Sequence, residues 1–188
     1  MIAPDGLCFC LGYRADDLVK EDLPLMQTDR WALHPPSASR DAEVHALFND
    51  PAVMLPFLAH LHLIPDEQWA ERRQRHRAGF SKLTTGPVYM DLIWKESGRV
   101  VGTAGFPRPA DLESGSVEWG INVYASHQQL GVCGEVFDQC CDFARGKIGV
   151  AGIVAETDVE NVIMRGFLAG RGLSEGTPHA AGAPWEEG

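Results

Sequence analysis

The middle third of the chain places apolar residues at every second position, the period of a β-strand that is buried on one face. This alternation predicts strands over Val88–Trp94 and Arg99–Phe106, joined by a turn at residues 96–98 into an antiparallel hairpin. A third strand is predicted over residues 116–123. Its apolar side chains share one face, so Glu118 is expected on the opposite, polar face.

Apolar residues at helical spacing predict helices around these strands. Val132, Val136 and Cys140 recur every four residues and predict a long helix over residues 130–145. The other predicted elements are a strand at 30–34, a helix at 41–48 with Ser39 as its N-cap, a break at Asn49-Asp50-Pro51, a helix at 66–78, a buried strand at 150–156 and a helix at 160–169. This order predicts an α/β (α+β) fold with a mixed, largely antiparallel central sheet flanked by helices.

A chain of 188 residues is little more than one domain at about 150 residues per domain. Residues 1–26 show no period, so we expect an N-terminal extension there and a single domain over residues 27–188. Residues 174–188 are rich in Gly, Pro and Ala, which are poor strand formers. We therefore expect these residues to form no strand of their own.

The net charge narrows the choice of partners. The chain has 16 Lys and Arg against 26 Asp and Glu, a net charge of −10, which disfavours nucleic acid and is compatible with a cationic substrate. Arg72, Arg73, Arg75 and Arg77, with His76 among them, are interpreted as a solvated helix face rather than an RNA or phosphate patch. No apolar stretch is long enough to span a membrane, so no membrane partner is expected.

The cysteines and histidines favour a reduced protein without a metal. Five cysteines, an odd number in a chain able to fold without disulfides, indicate free thiols and a cytoplasmic location. Neither the pair Cys8 and Cys10 nor the pair His60 and His62 has the spacing of a structural zinc site. The Cys140–Cys141 pair falls in the helix stripe and is expected in the core.

The turn between Val123 and the long helix is the candidate for chemistry. A turn that leaves a strand and opens a helix presents unpaired N–H groups beside the positive end of the helix dipole, which suits an anion. Gly131 and Gly134 let the backbone approach such an anion closely. The sequence of the turn leaves open an alternative to anion binding, in which both glycines only permit close packing of the helix on the sheet.

Part of this turn, Gln128-Gln129-Leu130-Gly131-Val132-Cys133, resembles the Q/R-x-x-G-x-G/A signature of the GNAT N-acetyltransferases, with Cys133 in place of the small last residue. Further pieces resemble the RimJ/RimL-like branch of that family in the same order along the chain: Thr28-Asp29-Arg30, residues 49–54, the hairpin at 98–102, Val117-Glu118-Trp119-Gly120, and Asn161 with Leu168 and Gly172-Leu173.

The resemblance implies an enzyme that uses acetyl-CoA as cosubstrate. The residues expected to bind it are Val123, Gln128, Gln129, Leu130, Gly131, Val132, Cys133, Gly134 and Asn161. Glu118 is the candidate general base. The family often carries a Tyr acid in the last helix; this chain has Met164 where Ser is common and no Tyr near Leu168. Tyr124 and His127 are the available substitutes, and a capping or surface role remains open for both. The family also closes its sheet with two further C-terminal strands, which we expect to be missing from this chain or supplied by a partner.

The expected reaction is direct attack of a primary amine, either a small cationic amine or a protein N-terminus, on the acetyl group. The acceptor is thus a small molecule or peptide, and a homodimer is possible. The alternative is a CoA-binding or regulatory module of the same fold with little catalysis. Transfer of the acetyl group to an amine, measured by thiol release, separates the two.

Overall fold

The computed structural model describes residues 23–58, 64–80 and 86–176. Its strands are β1 (Met26–Gln27), β2 (Trp31–His34), β3 (Val88–Trp94), β4 (Arg99–Phe106), β5 (Ser116–Glu118), β6 (Gly120–Val123) and β7 (Gly152–Val154). Its helices are α1 (Asp41–Phe48), α2 (Pro51–Leu58), α3 (Asp66–Phe80), α4 (Val132–Phe143) and α5 (Val162–Gly170).

The strands form one large antiparallel sheet and one small parallel pair. The large sheet has the order β1-β2-β3-β4-β6, with every pair antiparallel. The small sheet is β5 beside β7, in parallel. The predicted mixed, largely antiparallel sheet flanked by helices is confirmed. The third predicted strand, however, is divided at Trp119 into β5 and β6.

Alternation along the strands gives the sheet two differently covered faces. One face carries Met90, Leu92 and Ala104, which pack in the same apolar cluster as Val136 and Cys140 of α4. The other carries residues that pack beneath α1, α2 and α3 in a second cluster: Tyr89, Ile93 and Val100, with Val44, Leu47, Phe48, Val53, Met54 and Trp69 from the helices. Cys140 and Cys141 are buried, as predicted.

Two predictions about helix starts were wrong. Asn49-Asp50-Pro51 was expected only to break the chain, yet α2 begins at Pro51, where a missing N–H costs nothing because first-turn amides have no helical acceptor. The Asp50 side chain accepts from the amide of Ala52 at 2.9 Å. Ser39 does not cap α1: Ser37 accepts from the Ser39 amide and so caps a short 3₁₀ turn instead.

Two other boundaries differ from expectation. The long helix is α-helical only over α4, and a π-helical turn at Ala144–Ile148 continues it to Gly149, whose positive φ of 87° ends the element. Met26, the last residue of the expected extension, lies in β1 and is buried. Residues 1–22, and with them Cys8 and Cys10, lie outside the described residues, as do His60 and His62.

Residues 23–58, 64–80 and 86–176 contain neither a membrane-spanning helix nor a cluster of metal ligands. None of the helices there is both long enough and apolar enough to cross a bilayer. No group of three or more His, Cys, Asp or Glu side chains in the same part of the chain is arranged to hold a metal ion.

Candidate active site

The sheet opens at Trp119, where the chain changes strand partners. β5 pairs with β7 through Glu118 and Val154, and the Trp119 amide adds a hydrogen bond to the Val154 carbonyl at 2.8 Å. β6 then pairs with β4 on its other side, and no residue of the described chain pairs with its outer edge. The edge of β6 is therefore an open slot that leads directly into the turn before α4.

The turn before α4 is shaped by two residues with positive φ. Gln129 has φ of 60° and Gly131, the N-cap of α4, has φ of 82°, a region in which glycine has no steric penalty. The Gln128 side chain donates from Nε2 to the Val123 carbonyl at 3.0 Å and so ties the turn to the end of β6. The local sequence thus fixes a tight, exposed backbone loop.

The amides of this turn have no acceptors of their own. Hydrogen bonding of α4 begins with the Gly134 amide, which donates to the Gly131 carbonyl at 3.1 Å, whereas the N–H groups of residues 129–133 donate to no acceptor within the described residues. Gly131 also receives no side-chain cap. Unpaired amides at the positive end of a 12-residue helix form a site for an anion.

Arg30 supports the turn from β2. Its guanidinium donates to the Leu130 carbonyl at 2.8 Å and forms an ion pair with Glu135 in the first turn of α4. Burial acts to raise the pKa of Glu135, but hydrogen bonding and the charge of Arg30 outweigh it, so the pKa is lowered. Sequence reasoning named Arg30 only as part of a motif, because its contact with a turn 100 residues away leaves no local signal.

Gly134 belongs to packing more than to anion binding. A Cβ there would lie 2.6 Å from the Arg171 guanidinium. Arg171 follows α5, pairs with Asp138 of α4 and lies over the rings of Phe137 and Phe167 at 5.8 and 5.5 Å. The absence of a side chain at Gly134 therefore seats the arginine that joins α5 to α4.

Asn161 and Cys133 have defined local roles. The Asn161 Oδ1 accepts from the Met164 amide at 3.1 Å and caps α5, while its Nδ2 donates to none of the described residues. Burial raises the pKa of the Cys133 thiol to about 12, so it stays protonated at neutral pH. Neither observation shows contact with a ligand; both residues remain proposed binding residues.

Glu118 is a mostly buried carboxylate beside the opening. Its side chain is 16% exposed, and its Oε2 lies 3.0 Å from the Arg108 guanidinium, which also reaches Glu156 at 3.5 Å. Burial raises the pKa of Glu118; the positive charge of Arg108 opposes this rise and the negative charge of Glu156 adds to it. A carboxylate with a raised pKa at an open strand edge is suited to accept a proton.

A buried polar layer beneath α3 continues from Glu118 across the sheet. Register places Tyr89, Gly105 and Gly120 in one row, so the Tyr89 ring extends over two residues without side chains. A Cβ on Gly120 would lie 3.8 Å from the Tyr89 hydroxyl, which accepts from the Asn122 Nδ2 at 2.8 Å. Burial raises the pKa of Tyr89, and the charge of Glu118 adds to the rise.

The arginine-rich helix α3 is not a solvated face throughout, and that interpretation was wrong for Arg73. Arg73 is 1% exposed and binds the fully buried Asp91 with two hydrogen bonds of 2.9 and 3.0 Å. Its Nε also donates to Asp41 at 2.6 Å. The available signal was Asp91 itself, since a charged residue inside a buried strand needs a partner.

The two substitutes considered for the general acid are engaged elsewhere. The Tyr124 hydroxyl donates to the Glu43 carbonyl at 3.2 Å. The His127 ring packs edge-on against Trp94 with centroids 4.8 Å apart, and its Nδ1 is 2.9 Å from the Ser126 hydroxyl. These contacts hold both side chains in the fold and supply no evidence for proton donation.

Most of the chain matches the model of one known protein family. Residues 30–173 match the family model described as the acetyltransferase (GNAT) domain. No curated protein sequence matches the chain.

Solved structures with the same fold include an acetyltransferase from Agrobacterium tumefaciens, with 17% identity, a TM-score of 0.65 and coverage of 84% of this chain and 89% of that one. The spermidine N-acetyltransferase of Vibrio cholerae, solved with CoA and spermine, has 13% identity, a TM-score of 0.64 and coverage of 79% and 84%. A putative acetyltransferase from Salmonella typhimurium, solved with acetyl-CoA, has 20% identity, a TM-score of 0.57 and coverage of 76% and 78%. At these identities the likeness shows the fold alone.

Proposed function

The chain belongs to the GNAT acetyltransferase family, and from that premise we propose that it transfers the acetyl group of acetyl-CoA to a primary amine by direct attack. The observation that carries the proposal is the turn before α4, with its unpaired amides at residues 129–133 beside the open edge of β6. A diphosphate fits such amides, and an open strand edge fits an extended chain that can hydrogen-bond to it.

Acetyl-CoA supplies an activated acetyl thioester when it is bound. We propose that the backbone of residues 129–133 holds its pyrophosphate and that Gln128 keeps the turn on β6. The outer edge of β6, ending at Val123, is the open slot that receives the rest of the acetyl-CoA molecule. Val132, Cys133 and Gly134 contribute through the first turn of α4, and Asn161 offers its free Nδ2 from the start of α5.

The amine attacks only as the free base. For a lysine-like amine with a pKa near 10.4, neutralisation at pH 7.4 costs about 4 kcal/mol; for an α-amine with a pKa near 8 the cost is about 1 kcal/mol. We propose that Glu118 accepts this proton, directly or through a water molecule. The nitrogen forms a bond to the acetyl carbon, the carbon–sulfur bond breaks, and the CoA thiolate takes a proton from solvent.

The acceptor is proposed to be a small cationic amine or a protein N-terminus. Support for the first comes from the net charge of −10 and from structural neighbours that include spermidine N-acetyltransferases. Support for the second comes from the motifs shared with the RimJ/RimL-like branch, to which we propose the chain belongs. Both acceptors are primary amines of the kind that the reaction requires.

A homodimer is proposed as the assembly. Val154 at the end of β7 and Val159, Val162 and Ile163 around the start of α5 are 49–76% exposed, which is unusual for large apolar side chains grouped on neighbouring elements. Sedimentation at micromolar concentration tests the proposal: a single species with the mass of one chain contradicts it.

A CoA-binding module with little catalysis is the second candidate, favoured by the absence of an assignable acid among the described residues. The deciding experiment is thiol release from acetyl-CoA with a panel of primary amines, with a no-acceptor blank because the chain has five cysteines. Mass spectrometry of the acetamide identifies the acceptor. Acetyl-CoA binding without acetylation of any amine would establish the second candidate.

A further inference from the structure

Arg72 stands apart from the other buried charges of α3. Asp91 and Asp41 neutralise Arg73, and Asp41 also binds Arg77. The Arg72 guanidinium lies over the Phe48 ring at 4.8 Å and forms neither a hydrogen bond nor an ion pair with any described residue. A partly buried guanidinium without an anion is costly, so the fold leaves here a cation that an external anion would stabilise.

His76 adds a second unsatisfied group one helical turn away. Its side chain is 8% exposed, and its Nδ1 is buried without a hydrogen-bond partner among the described residues. Burial and the charges of the surrounding arginines lower the pKa of His76 to about 3, so the ring is neutral at physiological pH. A neutral imidazole in the suitable tautomer can donate one hydrogen bond to an anion without adding charge.

Both groups face the layer that leads to Glu118. The rings of His76 and Tyr89 are in edge contact, with centroids 5.8 Å apart. The Tyr89 hydroxyl is within electrostatic reach of both Arg72 and Glu118, whose charges shift its pKa in opposite directions. The unpaired cation and the candidate base thus both lie near the buried Tyr89 hydroxyl.

We propose that the acceptor amine carries a carboxylate or phosphate, and that Arg72 and His76 bind this anion while the amine lies at Glu118. The proposal rests on the proposed function and narrows its acceptor: it keeps the N-terminus of a peptide and replaces the small cationic amine with an amine that carries an anion. A polyamine would place a second positive charge beside Arg72, whereas an amino acid or the N-terminus of an acidic peptide places an anion there. The long-range pull of the acidic surface on cations is screened beyond about 8 Å at physiological salt, so the local charge decides.

The test uses acceptor pairs that differ in charge alone. Glycine is compared with glycinamide, and the dipeptide amide Ser-Asp-NH₂ with Ser-Asn-NH₂; spermidine is the polycation. For the wild type we expect kcat/KM to favour the anionic member of at least one pair by about tenfold or more, the range of a charged hydrogen bond. The pair that discriminates tells whether the anion comes from a small amino acid or from a peptide.

Substitutions then assign the preference to Arg72. Arg72→Gln should bring the ratio within each pair close to one by lowering kcat/KM for the anionic member more than for the neutral one, and Arg72→Lys should keep part of the preference. Arg145→Gln, at an exposed position in the π-helical turn after α4, changes the net charge equally and should keep the wild-type ratio. A wild-type ratio near one in both pairs, spermidine as the best acceptor, or an unchanged ratio in Arg72→Gln would overturn the proposal.

Binding separates this proposal from the proposed function. Calorimetric titration of the same pairs into the CoA-loaded protein measures the anion preference without turnover. Tighter binding of the anionic member that Arg72→Gln abolishes would support the anion site even if no amine were acetylated, in which case only the transfer reaction would be disproved. Equal binding of both members would contradict the anion site even if transfer were observed.

Discussion

The turn before α4 and the polar layer beneath α3 both adjoin β6, yet they use different chemistry. The turn offers main-chain amides on an exposed loop that depends on one glycine, Gly131, for its backbone shape. The layer is built from buried side chains of several elements, which extend from Glu118 and Tyr89 to Asp91 and Arg73. Nearly every charge in it has a counter-charge. The first binds through the backbone, the second through particular side chains.

This difference determines what each region tolerates. Residues 129, 130, 132 and 133 contribute amides whatever their side chains, which explains why Cys133 can replace a smaller residue in the signature. In the layer, replacing a paired charge such as Arg73 leaves a buried partner unpaired, and a buried charge without its partner is expensive. We therefore expect substitutions in the turn to weaken ligand binding with little effect on the fold. Substitutions in the layer should lower stability or turnover with little effect on acetyl-CoA binding.

The largest effect is expected from Arg73→Met. It removes the two Arg73 hydrogen bonds from Asp91 and leaves it those of Arg40 and the Ser37 amide; breaking a buried ion pair in this way costs about 3–5 kcal/mol of unfolding free energy. Urea denaturation measures the loss. Gln74→Met on the exposed side of the same helix is the matched control and should change stability by less than about 0.5 kcal/mol. Equal stability of the two variants would show that the layer does not hold the fold.

The next effect is expected from Glu118→Gln, which keeps the shape of the side chain and removes the proton acceptor. We predict a fall in kcat of about 10²-fold or more, with acetyl-CoA affinity unchanged. Because burial raises the pKa of Glu118, the acidic limb of the wild-type pH–rate profile should lie above the ordinary value of 4.5. Wild-type kcat with the same acidic limb would remove Glu118 from the mechanism.

Stability provides the control for Glu118. A carboxyl group whose pKa is raised by folding stabilises the protein below its unfolded pKa, and this contribution is lost as the pH rises through the folded pKa. At pH 7 the charged form of Glu118 is therefore disfavoured by the fold. Glu118→Gln should melt at a temperature no lower than the wild type, so that a loss of activity is not a loss of structure.

The smallest effect is expected from Asn161→Ala. Loss of the N-cap bond to Met164 should cost about 1 kcal/mol of stability, and loss of Nδ2 should weaken acetyl-CoA binding several-fold without changing the amine KM. Asn161→Asp is the informative control, because it keeps the cap oxygen and replaces the Nδ2 donor with a negatively charged acceptor. Unchanged acetyl-CoA affinity in both variants would leave Asn161 as a helix cap alone.

The sheet could be predicted from the sequence because its strands carry a period of two, and α4 because its stripe from Val132 to Cys140 has a period near four. α2 could not, since Pro51 signals a break as readily as a helix start and only tertiary packing decides between them. The interruption at Trp119 was equally invisible: both halves of that strand share one alternation, and the change of partner depends on β7, more than 30 residues later.

The same contrast separates the two regions of the site. The turn could be predicted because its shape follows from neighbouring residues, above all Gly131. The layer could not, because Asp91 meets Arg73 only when α3 packs on β3, and sequence spacing carries no record of that contact. Asp91 in a buried strand indicated that a cation was needed to pair with it. The α3 arginines, however, were all expected to be exposed, and one of them, Arg73, supplies that cation.

The central claim, that the turn binds acetyl-CoA through its backbone, is tested most directly by Gly131→Val with Gly149→Val as its control. Both glycines have positive φ, 82° and 87°, and no neighbour that crowds a Cβ, so both substitutions strain the backbone alike. The measurement is the stabilisation by acetyl-CoA, about 2.7 kcal/mol at 100 times its dissociation constant. We predict that the wild type and Gly149→Val gain this stabilisation and that Gly131→Val loses most of it; equal stabilisation of all three proteins, or of none, would contradict the account.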